Sequence, residues 1–465
     1  MQANLLLWHG RVYTMDPGHP YAQAVAIAGS RVVAVGDDAQ LRPLLCPGGH
    51  AVDLAGRTVI PGLIDAHVHF GHHCLSLYQG EVDLDQAPDK ETAVARVAEI
   101  ARRTPPGSWI RGGGWNKNLW PDPSFPTAAD LDAVAPHHPV ALEDKSHHAI
   151  WLNRCALEQL GITAATEDPP GGEILRDESG QPTGILLEKA VVWVYQSLPE
   201  PDVDTMVAAL RQGIPQAHRL GLTGVHDPAP PTVLAALQAL QAQGGLSLRV
   251  LVHIPQDNLE SAMRLGIRSG LGNEMLRIGG VKIFADGALG PQTAYLLAPY
   301  EGTADGHGLP TLSPEELTCL VRRAHDAGLS VVAHAIGDAA NRAVLDALEQ
   351  DQIARPQMAY PPSLADRIEH VQLLHPDDLP RLARLGVVAS MQPIHATSDM
   401  DMAERYWGRR CQLAYAWRSL LDVGTTLAFG SDCPVETLDP LAGVHAAVTR
   451  RRADGRPGPE GWIPS

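Results

Sequence analysis

The segment Asp65-Ala66-His67-Val68-His69 closes a short apolar run, Val59-Ile60-Pro61-Gly62-Leu63-Ile64. Residues two apart on a β-strand point to one face, so Asp65, His67 and His69 form a row. Two imidazoles on one face at the end of a buried strand cost desolvation unless something satisfies them, and a shared metal ion does so. Histidines hydrogen-bonded to backbone are the simpler reading, and the later chain must decide. Four further predicted strands contain or end in a residue that is expensive to bury. Lys282 lies inside Ile278-Gly279-Gly280-Val281-Lys282-Ile283-Phe284, His334 follows Ser330-Val331-Val332-Ala333, His370 follows Arg367-Ile368-Glu369, and Asp432 follows Leu427-Ala428-Phe429-Gly430-Ser431. Each has a plain alternative: a satisfied strand-end histidine, a turn or helix cap for Asp432, a carboxylate partner such as Asp286 for the lysine. Taken together with His67 and His69, they supply imidazole and hard donors for one or two divalent ions.

Something must carry these residues to one place. From residue 215 the pattern alternates, with strands over 222–226, 248–254, 278–284, 329–334, 365–370, 387–392 and 426–432. Helices are expected between them, the best marked over 313–327, where Ser313 can cap, Pro314 takes the first position and Glu315-Glu316 favour the first turn. Repeated strand–helix units imply a parallel sheet, and their number suits a closed eight-stranded barrel. An open doubly wound sheet is the alternative, but no Gly-x-Gly-x-x-Gly follows the first strand. The expected fold is therefore α/β, a (β/α)8 TIM barrel over residues 59–465. Strand ends of such a barrel converge on the face where active sites lie.

Residues 1–58 read as short strands and hairpins of a small β domain. Residues from about 75 to 200 mix helical periodicity with turn-rich pieces, and are expected to form a long insertion after the first barrel strand. Within it, Gly112-Gly113-Gly114 lacks the Lys-Ser/Thr of a phosphate cradle, so a flexible substrate-facing turn is expected there.

Composition narrows the partners. The formal net charge of −17, with no long basic block, argues against nucleic acid. No apolar run approaches the roughly 18 residues of a membrane span, and no signal-peptide pattern opens the chain. The six cysteines are scattered without a C-x-x-C pair, which fits a reducing compartment and disfavours a thiolate site. A soluble, cytoplasmic protein with a small-molecule substrate is expected, and an excess of imidazole, 21 His against 4 Phe, suits a metal or proton-transfer enzyme.

The chain resembles the amidohydrolase superfamily, and within it amidohydrolase family 3, which includes enzymes similar to N-substituted formamide deformylase. The resemblance rests on Pro61-Gly62-Leu63-Ile64-Asp65-Ala66-His67-Val68-His69, Gly172-Glu173-Ile174 with Pro182-Thr183-Gly184, and Lys282-Ile283-Phe284-Ala285-Asp286-Gly287. It continues in His334-Ala335-Ile336-Gly337-Asp338, Arg367-Ile368-Glu369-His370 and Gly430-Ser431-Asp432. It implies that His67, His69 and Asp432 hold one metal ion, that His334 and His370 hold a second, and that a carboxylated Lys282 bridges them. One or two ions, with zinc the expected metal, are compatible with it. The implied reaction is hydrolysis of an amide-type C–N bond, in a linear or cyclic amide or an N-acyl or N-formyl compound, by a metal-activated hydroxide. Asp432 would act as general base and then acid. Trp115, Asn116 and His148 are the implied substrate contacts, with Glu188 a lesser candidate, while core packing is the competing reading for Trp115; Asp286, two pleats beyond Lys282 on the same strand face, is expected to orient the lysine or touch substrate. Asp65 is read as support for the strand end.

Two other functions compete. The same scaffold supports deamination of cyclic amidines, usually with a single ion and a Glu near the fifth-strand histidine, but here His334 is followed by Ala335-Ile336-Gly337-Asp338. An inactive binding relative would have lost ligands, and all the positions are filled. Relatives also continue past the eighth strand into strands that return to the small β domain, whereas this chain ends at Gly461-Trp462-Ile463-Pro464-Ser465. A fragment or a reduced domain is expected, with open strand edges prone to association, and a homodimer is left open.

Overall fold

The computed structural model describes residues 2–85, 87–198, 201–355 and 362–463; Pro464 and Ser465 of the quoted C-terminal stretch lie outside them. Eight parallel strands form one sheet, in the order of the chain: Leu63–Asp65, Leu222–Asp227, Arg249–Pro255, Leu276–Phe284, Val331–Ala335, Arg367–His370, Val388–Met391 and Leu427–Phe429. They are called barrel strands one to eight below. The amide of Ala66 donates to the carbonyl of Phe429 at 3.1 Å, bringing strand eight back to strand one. A Cβ on Gly430 would lie 2.4 Å from the His67 amide nitrogen, so only glycine permits this approach.

Helices connect the strands, among them Pro231–Ala242, Leu259–Leu265, Pro314–Asp326, Asp338–Ala354, Leu379–Leu385 and Trp417–Asp422. The helix at 314 starts as expected: the Ser313 hydroxyl accepts from the Glu316 amide, and the Glu316 carboxylate accepts from the Ser313 amide. Val281, Val331, Ala333, Ile368 and Ala389 of the strands are completely or almost completely buried with Val321, Val344 and Leu420 of the helices. Most of the strands are largely apolar, as a sheet covered on both faces requires, while Arg367–His370 carries Arg, Glu and His.

The segment between barrel strands one and two is more ordered than its sequence suggests. It carries a six-stranded mixed sheet, in the order Gly172–Arg176, Pro182–Glu188, Ala149–Leu152, Val140–Asp144, Ile110–Trp115, Val82–Asp83. The glycine run expected as a flexible turn is strand Ile110–Trp115, in the interior of this sheet. A Cβ on Gly112 would lie 2.1 Å from the Val82 carbonyl oxygen, and one on Gly113 2.9 Å from that of Glu143. These glycines serve close strand packing, which composition does not distinguish from a loop.

Contacts divide the chain into Met1–Leu63 and Ile64–Ser465. The first unit contains a four-stranded sheet, Arg31–Gly36, Ala24–Ala28, Ala3–Trp8 and Leu45–Asp53 in that order, and a three-stranded one of Tyr21–Ala22, Arg11–Tyr13 and Thr58–Val59. Strand Leu45–Asp53 carries Pro47-Gly48-Gly49, and its parallel register with Ala3–Trp8 shifts between Ala3 and Leu5. Among the described residues no helix is long and apolar enough to cross a membrane.

Candidate active site

The C-terminal ends of the barrel strands open into a cavity of about 960 Å³. His67, His69, Lys282, His334, His370 and Asp432 all line it. His67 and His69 follow barrel strand one, Lys282 lies near the end of strand four, and His334 and His370 sit at the ends of strands five and six. Asp432 lies three residues beyond strand eight, at φ 60, and its amide donates to the His67 carbonyl at 2.7 Å.

The Asp432 carboxylate is the meeting point. Its Oδ1 lies 3.3 Å from the Nε2 of both His67 and His69, and its Oδ2 lies 3.9 Å from His370 Nδ1. The His334 and His370 rings are 4.4 Å apart, and those of His67 and His370 5.2 Å. Ligating atoms of His67, His370 and Asp432 all fall within 4.8 Å of one another. Neither ring nitrogen of the completely buried His67 has a hydrogen-bond partner among the described residues, and neither does Asp432 Oδ1. Orphaned buried donors and acceptors are costly unless a further group satisfies them. Two imidazoles and a carboxylate around one point fit a divalent cation.

Electrostatics sets the histidines apart: His67, which burial would lower, is raised above its ordinary value by Glu369 and Asp432. Burial opposes charge on Asp432, but the nearby His67 and His69 imidazoles hold its carboxyl well below the usual range. Burial pushes His334 and His370 well below the ordinary imidazole range, so both are neutral with lone pairs free to ligate. Burial also lowers Lys282 to about 8, against the charges of Glu369 and Asp432, and its ammonium lies 4.9 Å from the Phe284 ring centre.

Asp65 ties the barrel closed. Its carboxylate accepts from the amides of His67 and Ser431 and, at 2.5 Å, from the Ser431 hydroxyl. The residues expected to touch substrate separate. His148 lines the cavity, its Nδ1 2.8 Å from Glu188 Oε2, and its ring is 5.0 Å from that of His334. Glu188 lines the cavity too, as does Asn116, whose side chain accepts from the Asn118 amide. Trp115 does not line this cavity. It is buried in the insertion against Trp120, Phe125 and Trp151, and its indole N–H donates to the Leu142 carbonyl. Asp286 is buried completely beneath the surface, where it accepts from the amides of Tyr295, Ile336 and Gly337. Asp286, expected to orient Lys282 or touch substrate, instead has its carboxylate engaged by backbone amides of the segments that follow strands four and five, which it braces.

Other residues at the site went unassigned from sequence. The Glu369 carboxylate, completely buried, lies 3.2 Å from His67 Nδ1 and 2.6 Å from Arg367 Nε. Arg367 also reaches the Ala66 carbonyl and the Ser390 hydroxyl. His395 stacks on His370 at 6.0 Å, with its Nε2 3.7 Å from Asp432 Oδ2, and Gln392 contacts His370 Nδ1 at 2.8 Å. A charged Arg-x-Glu pair within a buried strand was the available signal for Glu369. Nothing in Gln392-Pro393-Ile394-His395 announces its place.

The description "Amidohydrolase family" matches residues 50–463. The chain is 34% identical to Protein LONG AFTER FAR-RED 3 of Arabidopsis thaliana, over 100% of this chain and 80% of that protein. It is 31% identical to N-substituted formamide deformylase of Arthrobacter pascens, over 98% of this chain and 85% of that enzyme. An uncharacterized metal-dependent hydrolase from Pyrococcus horikoshii OT3 superposes with a TM-score of 0.77 at 30% identity, covering 96% of this chain and 86% of that one. A match of this extent, on an eight-stranded barrel whose polar cluster sits at the strand ends, means that the chain is a hydrolase belonging to the amidohydrolase family.

Proposed function

We propose that this protein is a metal-dependent hydrolase of an amide-type C–N bond in a small molecule. The observation that carries the reading is the convergence of His67, His69, Lys282, His334, His370 and Asp432 on one cavity, with the His67 nitrogens and Asp432 Oδ1 left without hydrogen bonds. His67, His69 and Asp432 would hold one divalent ion, zinc being the expected metal, and His334 and His370 a second. Lys282, lowered by burial to about 8, supplies the neutral amine that adds to carbon dioxide with loss of a proton, and the resulting carbamate would bridge the two. Bound ions of this kind polarise a carbonyl and lower the pKa of water enough to provide a nucleophile at neutral pH.

The chain's own residues complete the chemistry. Asp432, kept ionised, accepts a proton from the attacking water and returns it to the departing nitrogen. Glu369 faces Nδ1 of His67 and so directs its Nε2 toward Asp432. His148, paired with Glu188, is the polar group of the insertion that lies beside His334 and would meet the substrate's acyl side. Val191, Val192, Leu289 and Met402 give the same cavity apolar walls, which suit an N-substituent of some bulk. A relative that is an N-substituted formamide deformylase supports formamides as the first substrates to try.

The test combines metal analysis with turnover of N-substituted formamides, N-acyl compounds and cyclic amides. Asp432→Asn should keep most of its metal yet lose about 10²- to 10⁴-fold in kcat, the contribution typical of a positioned acid–base group. An active Asn variant would refute the role of Asp432, and full activity in metal-free protein would refute the reading as a whole.

A further inference from the structure

A second gathering of imidazole and carboxylate lies beside the ligands assigned above, with the His147 ring 6.4 Å from that of His69. His72 belongs to helix Phe70–Gln79, Glu143 to strand Val140–Asp144, and His147 to the turn that follows the strand. Ligating atoms of all three fall within 4.8 Å of one another. Glu143 Oε1 is 3.9 Å from His72 Nε2, and Oε2 contacts His147 Nδ1. The two rings stand 5.4 Å apart at 67°, so they approach the carboxylate from different directions. A helix and a strand with its following turn have thus brought three donors to one point.

The charge state of the trio makes an ordinary ion pair a poor account of it. Glu143 is only 7% exposed, and a buried carboxylate needs a cation or a set of hydrogen-bond donors. Burial raises its carboxyl well above the ordinary range, Glu81 and Asp144 push it further, and Arg111 opposes them. Burial lowers His72 to about 4, so this imidazole does not supply the charge and is in the neutral form that ligates metals. His147 also occupies a left-handed backbone conformation, φ 62, that non-glycine residues rarely adopt.

We propose that His72, Glu143 and His147 form a separate divalent-cation site of the zinc-binding type. Two imidazoles and one carboxylate leave a fourth position for water or for a polar group in the cavity, which His147 lines. None of the three belongs to the ligand set at the barrel mouth, so this site stands or falls independently of the hydrolase reading.

The experiment is zinc stoichiometry by mass spectrometry of the full-length chain after dialysis against buffered free zinc. Wild type is compared with His147→Gly, His72→Asn, Glu143→Gln and His67→Ala. Glycine suits the backbone at position 147, and the far-ultraviolet circular dichroism melt of each variant checks the fold. Each of the first three should bind one zinc fewer than wild type, while His67→Ala, which removes a barrel-mouth ligand, should keep the zinc that the other three lose. Titration with cobalt should show the matching loss of one spectroscopic class of site. Equal zinc content in wild type, His147→Gly and His72→Asn would overturn the proposal. So would loss of zinc in only one of the three variants, since a shared site requires all of its ligands.

Discussion

Replacing Asp286 with Ala tests whether this carboxylate braces the site or touches substrate. Asp286 Oδ2 accepts from the amides of Tyr295 and Gly337, at 2.9 and 2.8 Å, and Oδ1 accepts from that of Ile336 at 3.0 Å. The side chain is completely buried. A buried N–H deprived of its acceptor costs about 1–3 kcal/mol, so three of them put the loss at roughly 3–9 kcal/mol. Alanine vacates space that a water can enter and partly re-satisfy, which brings the expected value to about 3–5 kcal/mol. Asp286→Asn keeps one acceptor oxygen and presents an amide to the remaining donor, so its loss should be smaller, about 1–3 kcal/mol. Equilibrium urea denaturation at constant pH and fixed metal is the assay, read as a lower midpoint with unchanged slope. If Asp286→Ala stays within about 1 kcal/mol of wild type and raises only KM, the bracing argument fails and the carboxylate is a substrate contact after all.

Two further expectations follow from the packing. Trp115→Ala should lower stability by about 3–5 kcal/mol, because a completely buried indole leaves a cavity in the insertion core; a stability loss near zero accompanied by a raised KM would return Trp115 to the substrate. His325 gives a pH dependence far from the cavity. Burial works to lower it, but bonds and charges from Asp366 and Asp351 raise it above its ordinary 6.5, with Arg355 also on Asp351. A group whose pKa rises on folding stabilises fully below its unfolded pKa and loses that contribution as pH rises through the folded value. The urea midpoint should therefore fall as pH rises above about 6.5, and His325→Gln should flatten that part of the curve. Parallel curves for the two proteins would show that the clamp contributes nothing.

Much of the architecture could be read from local pattern. Apolar runs alternating with amphipathic segments specify strand–helix units, and Ser313-Pro314-Glu315-Glu316 specifies a helix start, because both depend on neighbours within a few residues. The same holds for the polar residues that end the runs, since His67, Lys282, His334, His370 and Asp432 are conspicuous where an apolar side chain is due. Their meeting around one cavity followed from the barrel topology, which turns positions at equivalent strand ends into spatial neighbours. Tertiary structure alone decided the rest. Glycines 112–114 read as a loop, yet they pass inside a sheet because Val82 and Glu143 approach too closely for a side chain. Asp286 shares a strand face with Lys282, yet it is taken by amides 9 to 51 residues away. Glu369 is placed by His67 at the end of the first barrel strand, His395 by His370 and Asp432, and His72 by Glu143, all on other elements. Local sequence determines which side chains are costly to bury; only the closed barrel and the insertion packed above it determine which other groups offset that cost.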